Sequence, residues 1–325
     1  MEAVVIKSFG AADVLRPAAA PFPQSRPGWT TVRLHAAALN WHDTLVRRGL
    51  YGSPLPHVPG ADGAGTTLAG EQVVVLPALF WGSREAAPAP GWELLGDARP
   101  GTYAQYVSVP DECLAPRPAG FSWVEAAALA LVGGTVFRAL VTRAQLVAGE
   151  SVLILGAGGG IGPGATALAK AIGALPFVTS SSREKIAAAQ SHGAVDGVRY
   201  TDEDWIDQAR EMSPSRDGYD VVLDGIGTWA QSLQTLRPGG RLVVLGASQS
   251  EQSTLAARTF FFGQYSLLGT TIGSPTDFRS LFRLVTEGLL GAPPMDSTFA
   301  LTEAAAAHER LESGLAYGKI ALEIN

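Results

Sequence analysis

The feature that most constrains this chain is a short apolar run that passes directly into glycines. Val152 to Leu155 is typical of a fully buried strand, residues 156–164 read Gly-Ala-Gly-Gly-Gly-Ile-Gly-Pro-Gly, and residues 165–170 have helical composition. A dinucleotide-binding loop needs this order of strand, glycine turn and helix, because small residues let the backbone approach a pyrophosphate and the helix N-terminus offers free N–H groups. Ala157, Gly159 and Gly162 fit a G-x-G-x-x-G frame with alanine in the first position. A glycine-rich turn without a ligand is the alternative.

The second strand of the same region, Phe177–Thr179, ends in hydroxyl and cationic side chains. A site for NAD places Asp or Glu at this strand tip, about 20 residues after the glycine loop, to bind the ribose hydroxyls. The residues that follow the strand here are Ser180, Ser181, Ser182, Arg183, Glu184 and Lys185. Hydroxyl donors and positive charge suit a 2′-phosphate, so they predict NADPH rather than NADH. Ser181 and Glu184 also have the spacing of a capping box for the next helix, and both roles can hold together.

The composition favours a soluble cytoplasmic protein. The chain has 325 residues, of which 46% are hydrophobic and 17% charged, and a net charge of −6. No basic stripe suggests nucleic acid, and no segment reaches the roughly 18 apolar residues that span a membrane. Met1 to Lys7 is typical of an edge strand rather than of a signal peptide. The single cysteine, Cys113, excludes an intrachain disulfide. We therefore expect neither nucleic acid nor a membrane as a partner.

The residue pattern changes twice along the chain, and the three resulting regions predict two domains. Residues 1–119 are rich in proline and glycine, with short β-like runs that predict a β-rich domain. Residues 120–272 alternate helices, beginning with one over residues 125–142, with buried strands, as in an α/β fold with a doubly wound parallel sheet. Residues 273–325 contain two helices and a last strand, Lys319–Ile324, which we expect to return to the first domain. The strands predicted for the middle region are Val152–Leu155, Phe177–Thr179, Asp220–Leu223, Arg241–Leu245 and Ser266–Gly269.

An irregular loop is predicted from Trp81 to Trp92, where alanine, proline and glycine are frequent. Its two tryptophans either line a pocket or anchor the loop. The sequence leaves both roles open.

Several further motifs follow one another along nearly the whole chain. They are Ala36-Ala-Ala-Leu-Asn40-Trp-His-Asp43, Arg48-Gly-Leu-Tyr51, Val58-Pro-Gly60-Ala-Asp62-Gly-Ala-Gly65, Gly101-Thr-Tyr-Ala-Gln-Tyr-Val107, Gly134-Thr135, the glycine loop, and Arg237-Pro-Gly-Gly-Arg-Leu242. In this order the chain resembles the medium-chain dehydrogenase/reductase superfamily, and most of all its zinc-free quinone oxidoreductase branch. The resemblance implies a Rossmann domain with a doubly wound parallel sheet and a β-rich GroES-like catalytic domain.

Departures from the zinc-dependent members of that superfamily indicate the branch. Zinc alcohol dehydrogenases carry a cysteine where this chain has Asn40, and His-Glu where it has Ala61-Asp62. Their structural zinc needs about four soft ligands, whereas this chain has one cysteine. His42, His57 and Asp62 do not reproduce the ligands of the catalytic zinc. We therefore expect no metal.

The resemblance also implies which residues form the site. Asn40 is expected to direct its amide to the substrate or the nicotinamide, and Tyr51 to donate its hydroxyl to a developing oxyanion. Each can instead be structural, as can Thr135, which matches a threonine close to the nicotinamide. His42 and Asp43 are expected only to brace their turn, and the sequence reveals no His–Asp relay. The other residues expected in cofactor binding are Ala157, Gly158, Gly159, Gly160 and Ile161 at the glycine loop, Ser180, Ser181, Ser182, Arg183, Lys185 and Tyr200 at the adenosine phosphate, and Asp224, Gly225, Ile226, Gly246, Ala247 and Ser248 at strand ends.

Without a metal to stabilise an alkoxide, acceptors that delocalise the incoming charge are favoured. The expected activity is therefore NADPH-dependent hydride transfer to a quinone or an α,β-unsaturated carbonyl. Alternatives are an enoyl-thioester reductase, an alcohol dehydrogenase-like enzyme, and a protein that binds NADPH with little turnover. By resemblance, a homodimer is expected through the edge strand Ser266–Gly269.

Overall fold

The computed structural model describes residues 1–248 and 252–325, which form two compact units. One unit comprises Met1–Gly134 with Ser274–Asn325, and the other comprises Thr135–Gly273. The boundary between the first unit and the second lies after the predicted position at residues 119–120, where the residue composition changes. The reason is that the helix Trp123–Ala127 packs on the sheet of the first unit. Among the described residues, no helix combines the length and the apolar character needed to cross a bilayer.

Strands and helices are numbered along the chain. The strands are β1 Glu2–Val5, β2 Arg16–Ala19, β3 Trp29–Ala38, β4 Asp62–Thr67, β5 Gln72–Val75, β6 Ala78–Leu79, β7 Glu93–Leu94, β8 Tyr106–Pro110, β9 Leu114–Pro116, β10 Ser151–Ile154, β11 Leu175–Ser180, β12 Asp196–Arg199, β13 Tyr219–Asp224, β14 Leu236–Val244, β15 Ser266–Gly269, β16 Met295–Ala300 and β17 Lys319–Glu323. The α-helices are α1 Trp41–Arg47, α2 Trp123–Ala127, α3 Ala130–Phe137, α4 Ile161–Ile172, α5 Arg183–Ser191, α6 Trp205–Met212, α7 Trp229–Gln234, α8 Ala257–Phe262, α9 Pro275–Thr286 and α10 Ala304–Glu312. Short 3₁₀ turns occupy Ala12–Val14, Asp111–Cys113 and Leu301–Glu303, and a π-helical segment occupies Arg138–Arg143.

The second unit is built on one parallel sheet with the strand order β12-β11-β10-β13-β14-β15. Its central strands are apolar because both faces of such a sheet are covered, and Val152, Leu153 and Ile154 have no exposed surface. The chain runs from β10 outward to β12 and then returns to β13 on the other side of β10. The gap between β10 and β13 is therefore a topological switch point, where ligands bind in folds of this kind. The predicted doubly wound parallel sheet is confirmed.

Within residues 120–272, three elements differ from the sequence prediction. The edge strand β12 is polar, with Val198 as its one buried residue, and therefore lacks the apolar run that marks its neighbours. Helix α8 was also not predicted. The single helix expected over residues 125–142 is divided into α2, α3 and the π-helical segment.

The first unit contains a seven-stranded sheet in the order β16-β17-β3-β4-β5-β9, with β8 also paired to β3. Strand β3 is long enough for one of its edges to serve two partners, β8 along Trp29–Arg33 and β17 along Ala36–Ala38. The last strand therefore returns to the first unit, as predicted, and Ala321 pairs with Ala38. This pairing places the start of β17 beside the residues that follow β3.

Candidate active site

The glycine loop connects β10 to α4 and has the shape of an anion cradle. Gly156 and Gly159 adopt positive φ angles of 93° and 63°, which other residues rarely adopt. A Cβ on Gly162 would lie 2.3 Å from the carbonyl oxygen of Gly156, so only glycine lets the first turn of α4 approach the strand end. No side chain caps α4 at Gly160. The backbone N–H groups of a twelve-residue helix thus face a half-buried loop, an arrangement that fits a pyrophosphate.

The predicted loop residues divide into two groups. Gly158, Gly159, Gly160 and Ile161 are half-buried and border the open end of the loop. Ala157 is buried, and its N–H donates to the carbonyl oxygen of Thr179 at 2.7 Å. Ala157 therefore ties the loop to β11 and does not offer its own N–H to a ligand.

The serines at the tip of β11 lie beside Tyr200. The Tyr200 N–H donates to the carbonyl oxygen of Ser180 at 3.1 Å, because β11 and β12 run in parallel register. The N-cap of α5 is Ser182, whose hydroxyl accepts from the Lys185 N–H at 3.3 Å. The predicted capping box on Ser181 is therefore wrong, since the N-cap lies one residue later and Ser181 is exposed.

The carboxylate of Glu184, the acidic residue of this segment, is hydrogen-bonded to the N-cap residue of α5. It accepts from the Ser182 hydroxyl at 2.5 Å, and this hydrogen bond is the main reason that the pKa of Glu184 is lowered. Arg183 is exposed beside it. The strand tip thus offers the exposed hydroxyl of Ser181 and a cation, while its carboxylate is already hydrogen-bonded to Ser182.

The carboxyl ends of β13 and β14 also approach each other at this edge of the sheet. A Cβ on Gly246 would lie 2.7 Å from the carbonyl oxygen of Gly225, and the Ser248 hydroxyl lies 3.4 Å from that same oxygen. Gly225, Ile226 and the segment Gly246–Ser248, which includes Ala247, therefore come together, and their contact with the cofactor stays a prediction. Because β10, β13 and β14 are parallel neighbours, these segments and the glycine loop share one edge.

Asp224 differs from its neighbours in this group. Its carboxylate has no exposed surface and accepts from the N–H groups of Ile226, Gly227 and Thr228 at 2.7, 2.9 and 3.1 Å. The Ser232 hydroxyl donates to it at 2.8 Å. The prediction that Asp224 borders the cofactor directly is therefore replaced by a supporting role, in which the side chain shapes the loop that Gly225 and Ile226 present. Thr135, also predicted, lies buried in α3.

In the first unit, Asn40, Asp62 and Lys319 form a buried network. The Lys319 Nζ donates to the Asn40 amide oxygen at 2.6 Å and to the Leu39 carbonyl oxygen at 2.7 Å, and lies 3.3 Å from Asp62 Oδ2. The Asn40 amide nitrogen donates to the same Asp62 oxygen at 2.9 Å. The Asn40 amide is thus turned into the protein, and the prediction that it points to the substrate is not what the structure shows.

The network does not fit a zinc ion. An ammonium group already bonds to Asn40 and Asp62, and the second Asp62 oxygen accepts from the Leu131 N–H at 2.8 Å. His57 is held by the Gly96 carbonyl oxygen at 2.7 Å. Zinc in proteins is bound by thiolate, imidazole and carboxylate ligands that surround it. Within residues 1–248 and 252–325, no group of three or more such side chains is arranged to hold a metal. Sequence reasoning missed Lys319, because a single lysine before an apolar strand gives no signal that it is buried.

A second cluster joins His42, Asp97 and Tyr51. His42 Nε2 is hydrogen-bonded to Asp97 Oδ1, and the Tyr51 ring lies 4.4 Å from the imidazole ring. The prediction that His42 only braces its turn is therefore wrong. The Tyr51 side chain is 49% exposed, and burial of its remainder together with the charge of Asp97 raises the pKa of Tyr51. Sequence reasoning missed the His–Asp pair because 55 positions separate the two residues.

Asp43 does brace the turn, as predicted, and belongs to a third, fully buried cluster. Its carboxylate accepts from the Asn40 N–H at 2.8 Å and lies 3.3 Å from the Tyr103 hydroxyl. That hydroxyl is 3.1 Å from His308 Nε2. Burial raises the pKa of Asp43 to about 6, and burial together with Arg47 lowers the pKa of His308 to about 3. At neutral pH this cluster holds a neutral histidine.

The loop between Trp81 and Trp92 combines both roles that the sequence left open. Trp81 is 2% exposed, its indole N–H donates to the Arg84 carbonyl oxygen at 3.1 Å, and its ring meets Trp92 edge-on at 6.1 Å. These contacts anchor the loop. Trp81 also lines a cavity of about 250 Å³ together with Phe80 and Cys113. Burial raises the pKa of the Cys113 thiol to about 12, so this cysteine is inert.

Comparisons with known proteins support the fold described above. The family described as alcohol dehydrogenase GroES-like domain matches residues 26–119, and the family described as zinc-binding dehydrogenase matches residues 160–287. A zinc-type alcohol dehydrogenase-like protein of Schizosaccharomyces pombe is 32% identical over 96% of this chain and 96% of its own length. The quinone oxidoreductase of Homo sapiens is 28% identical over 99% of this chain and 97% of its own. A crystal structure described as an NAD-dependent alcohol dehydrogenase superposes with a TM-score of 0.94 at 35% identity, with 100% of both chains covered.

Proposed function

The chain belongs to the medium-chain dehydrogenase/reductase superfamily, and from this premise we propose that it reduces quinones or α,β-unsaturated carbonyl compounds with NADPH and without a metal. It is an oxidoreductase of that superfamily, with quinone oxidoreductase and alcohol dehydrogenase-like relatives. The observation that carries the proposal is the ammonium group of Lys319, bound to Asn40 and Asp62. It lies at the position where, by resemblance, zinc-dependent members keep their metal ligands.

The choice of acceptor follows from the chemistry that remains without a metal. A zinc ion in a dehydrogenase stabilises an alkoxide as a Lewis acid. A quinone needs less help because its hydroquinone anion is delocalised, and an enone gives a delocalised enolate. The nicotinamide, when bound, supplies the hydride. The protein then has to orient the acceptor and to stabilise its oxyanion.

Two residues of the first unit suit these tasks. Tyr51 is 49% exposed, and its hydroxyl can donate a hydrogen bond to the oxyanion because a tyrosine hydroxyl is protonated at neutral pH. Asn40 is a positioning residue, because its amide holds Asp62 and Lys319 in place. Tyr51→Phe is expected to lower kcat with little change in the KM for NADPH. Asn40→Ala is expected to lower kcat/KM for a quinone about tenfold, or about 1.4 kcal/mol.

The preference for NADPH is supported by the tip of β11. Ser181 offers an exposed hydroxyl and Arg183 offers an exposed cation. Ser180 is buried beside the Tyr200 backbone, and the Ser182 hydroxyl is bonded to Glu184, so these two serines shape the tip. A 2′-phosphate needs donors and positive charge at this place, whereas the ribose of NAD needs a free carboxylate. The crystal structure described as NAD-dependent makes NADH the alternative to test.

An acceptor screen tests the proposal. NADPH absorbance is followed with 9,10-phenanthrenequinone, a simple enone and an enoyl thioester, and NADP⁺ reduction is followed with primary alcohols. We expect turnover with the quinone or the enone, a higher kcat/KM with NADPH than with NADH, and no loss of rate after chelation. Turnover confined to the enoyl thioester, alcohol oxidation that depends on added zinc, or cofactor binding without turnover would each replace the proposal by one of the alternatives.

We also propose a homodimer formed through β15. Among the described strands, β15 pairs with β14 on one side, and its Leu267 and Leu268 are only half-buried. Phe261 and Phe262 on the neighbouring α8 are 56% and 65% exposed. The unpaired backbone groups of an apolar edge strand can pair with those of another chain, and two identical edges pair about a two-fold axis. Light scattering at micromolar concentration should give twice the chain mass, and the mass of one chain would contradict the proposal.

A further inference from the structure

His42 and Asp97 form an acid–base pair beside Tyr51. Their side chains are 14% and 19% exposed, so the pair is shielded but open to solvent at one side. The Tyr51 ring covers the imidazole ring at 4.4 Å with an angle of 47° between the planes. An imidazole held on one nitrogen by a carboxylate is a recurring arrangement in general acid–base catalysis, because the carboxylate fixes the orientation and the tautomer of the ring.

The hydrogen bond to Asp97 leaves the second ring nitrogen of His42 available for proton transfer. Nε2 of His42 bonds to Asp97, and Nδ1 forms no hydrogen bond with any residue that the structure describes. Since a carboxylate only accepts, Nε2 carries a hydrogen. Nδ1 then has a lone pair in the neutral ring and a second N–H in the imidazolium. It is the atom through which His42 can exchange a proton.

The ionisable surroundings of the pair are few. Asp97 follows β7, and Tyr51 follows α1. Asp43 is the next residue of the helix that carries His42, and the charge of His42 counteracts the rise in the pKa of Asp43 that burial causes. Burial lowers the pKa of His57, and the negative charge of Asp97 partly counteracts this lowering.

We propose that His42 is the general acid of the reduction, with Asp97 as its positioning residue. This inference rests on the proposed function. Hydride transfer carries two electrons to the quinone or to the β-carbon of the enone and leaves a hydroquinone anion or an enolate. The Nδ1–H bond of His42 breaks, its proton goes to that anion, and the neutral imidazole regains a proton from solvent. NADPH, one proton and the acceptor thus give NADP⁺ and the neutral reduced product, while Tyr51 donates a hydrogen bond to the same oxygen.

The kinetic test compares His42→Gln, Asp97→Asn and Tyr51→Phe with the control His192→Gln, in which an exposed histidine at the end of α5 is replaced. In the wild type, kcat should fall at high pH as one group loses its proton. In His42→Gln, kcat should be lower by about a hundredfold or more, and the high-pH limb of the pH profile, where kcat falls, should disappear. The affinity for NADPH should be retained. Asp97→Asn should lower kcat about tenfold. His192→Gln should behave as the wild type.

A second readout needs no turnover. In ¹⁵N-imidazole spectra of the protein without cofactor, neutral His42 should carry its hydrogen on Nε2, and Asp97→Asn should shift that signal. A neutral His42 with its hydrogen on Nδ1 would overturn the inference, as would a His42→Gln variant that keeps the wild-type kcat and limb. If Tyr51→Phe alone abolishes the limb, Tyr51 is the acid instead. A wild type that reduces no acceptor refutes the proposed function itself, so the two failures are distinguishable.

Discussion

The ammonium group of Lys319 lies 2.6 Å from the amide oxygen of Asn40, although 279 positions separate the two residues in the chain. The pairing of β17 with β3 brings them together, because β3 ends two residues before Asn40 and Lys319 is the first residue of β17. Both Lys319 and Asp62 are buried, with 3% and 0% exposure. The last strand of the chain therefore places a positive charge in the site and compensates the buried carboxylate there.

Loss of that charge should destabilise the first unit. In Lys319→Met, Asp62 stays buried without its ionic partner, and breaking a buried pair from one side costs about 3–5 kcal/mol. Urea unfolding measures the change. Lys7→Met is the control, since Lys7 is exposed, and should shift the free energy of unfolding by less than about 0.5 kcal/mol.

A double variant shows whether charge is the cause. In Lys319→Met combined with Asp62→Asn, no buried charge is left unpaired and an amide oxygen can still accept from the Leu131 N–H, so the double variant should be more stable than Lys319→Met alone. Equal losses in the two variants would mean that the packing of Lys319, and not its charge, holds the site together.

The cations after β11 should determine the choice of cofactor. Arg183→Ala with Lys185→Ala removes both cations near the expected 2′-phosphate, and the Kd for NADPH should rise about tenfold or more while the Kd for NADH stays within twofold. Fluorescence titration of the two cofactors measures this. Lys170→Ala, an exposed lysine on α4, serves as the control. If NADH binding weakens as much as NADPH binding, these side chains do not recognise the phosphate.

Gly162 should tolerate no side chain. Alanine normally stabilises a helix relative to glycine, but a Cβ here would lie 2.3 Å from the backbone oxygen of Gly156. Gly162→Ala should therefore lose about 1–3 kcal/mol of stability and weaken NADPH binding, because α4 has to move away from the loop. Thermal unfolding and cofactor titration test both effects. Gly291→Ala, where a Cβ meets nothing within 4 Å, should have neither effect.

The sequence predicted the parallel sheet well because each central strand is a continuous apolar run. Strand β15 has the predicted bounds Ser266–Gly269, and β13 contains the predicted Asp220–Leu223. Strand β12 was missed because an edge strand is held by backbone hydrogen bonds to one neighbour, which the side chains of Asp196–Arg199 do not reveal.

The glycine loop was also predictable, because its signal lies in consecutive residues, whereas the orientation of single polar side chains was not. Asp224 stands at a strand end, as expected, but its carboxylate is satisfied by the three N–H groups that follow it. The Asn40 amide and the His42 imidazole are each oriented by partners far away in the chain, Lys319 and Asp97. Such contacts depend on tertiary structure, so residue identity and spacing do not determine them.

The buried pair Asp43 and His308 should make stability depend on pH in two opposing ways. The pKa of Asp43 rises from 3.8 to about 6 on folding, so its contribution is complete below about pH 3.8 and is lost as the pH rises through 6. The pKa of His308 falls from 6.5 to about 3, so its contribution is complete above pH 6.5 and is lost as the pH falls towards 3. Between these limits the two contributions oppose each other.

Removal of one partner should expose the effect of the other. In Asp43→Asn the opposing carboxyl is gone, so the free energy of unfolding should fall from about pH 6 to about pH 4 by about 1 kcal/mol per pH unit more than in the wild type. Urea unfolding at several pH values measures the slope. Asp13→Asn, which alters an exposed carboxylate, should follow the wild type. Parallel curves for Asp43→Asn and the wild type would show that Asp43 does not hold a proton in the folded state over this range, and the pH dependence of the cluster would then be due to His308 alone.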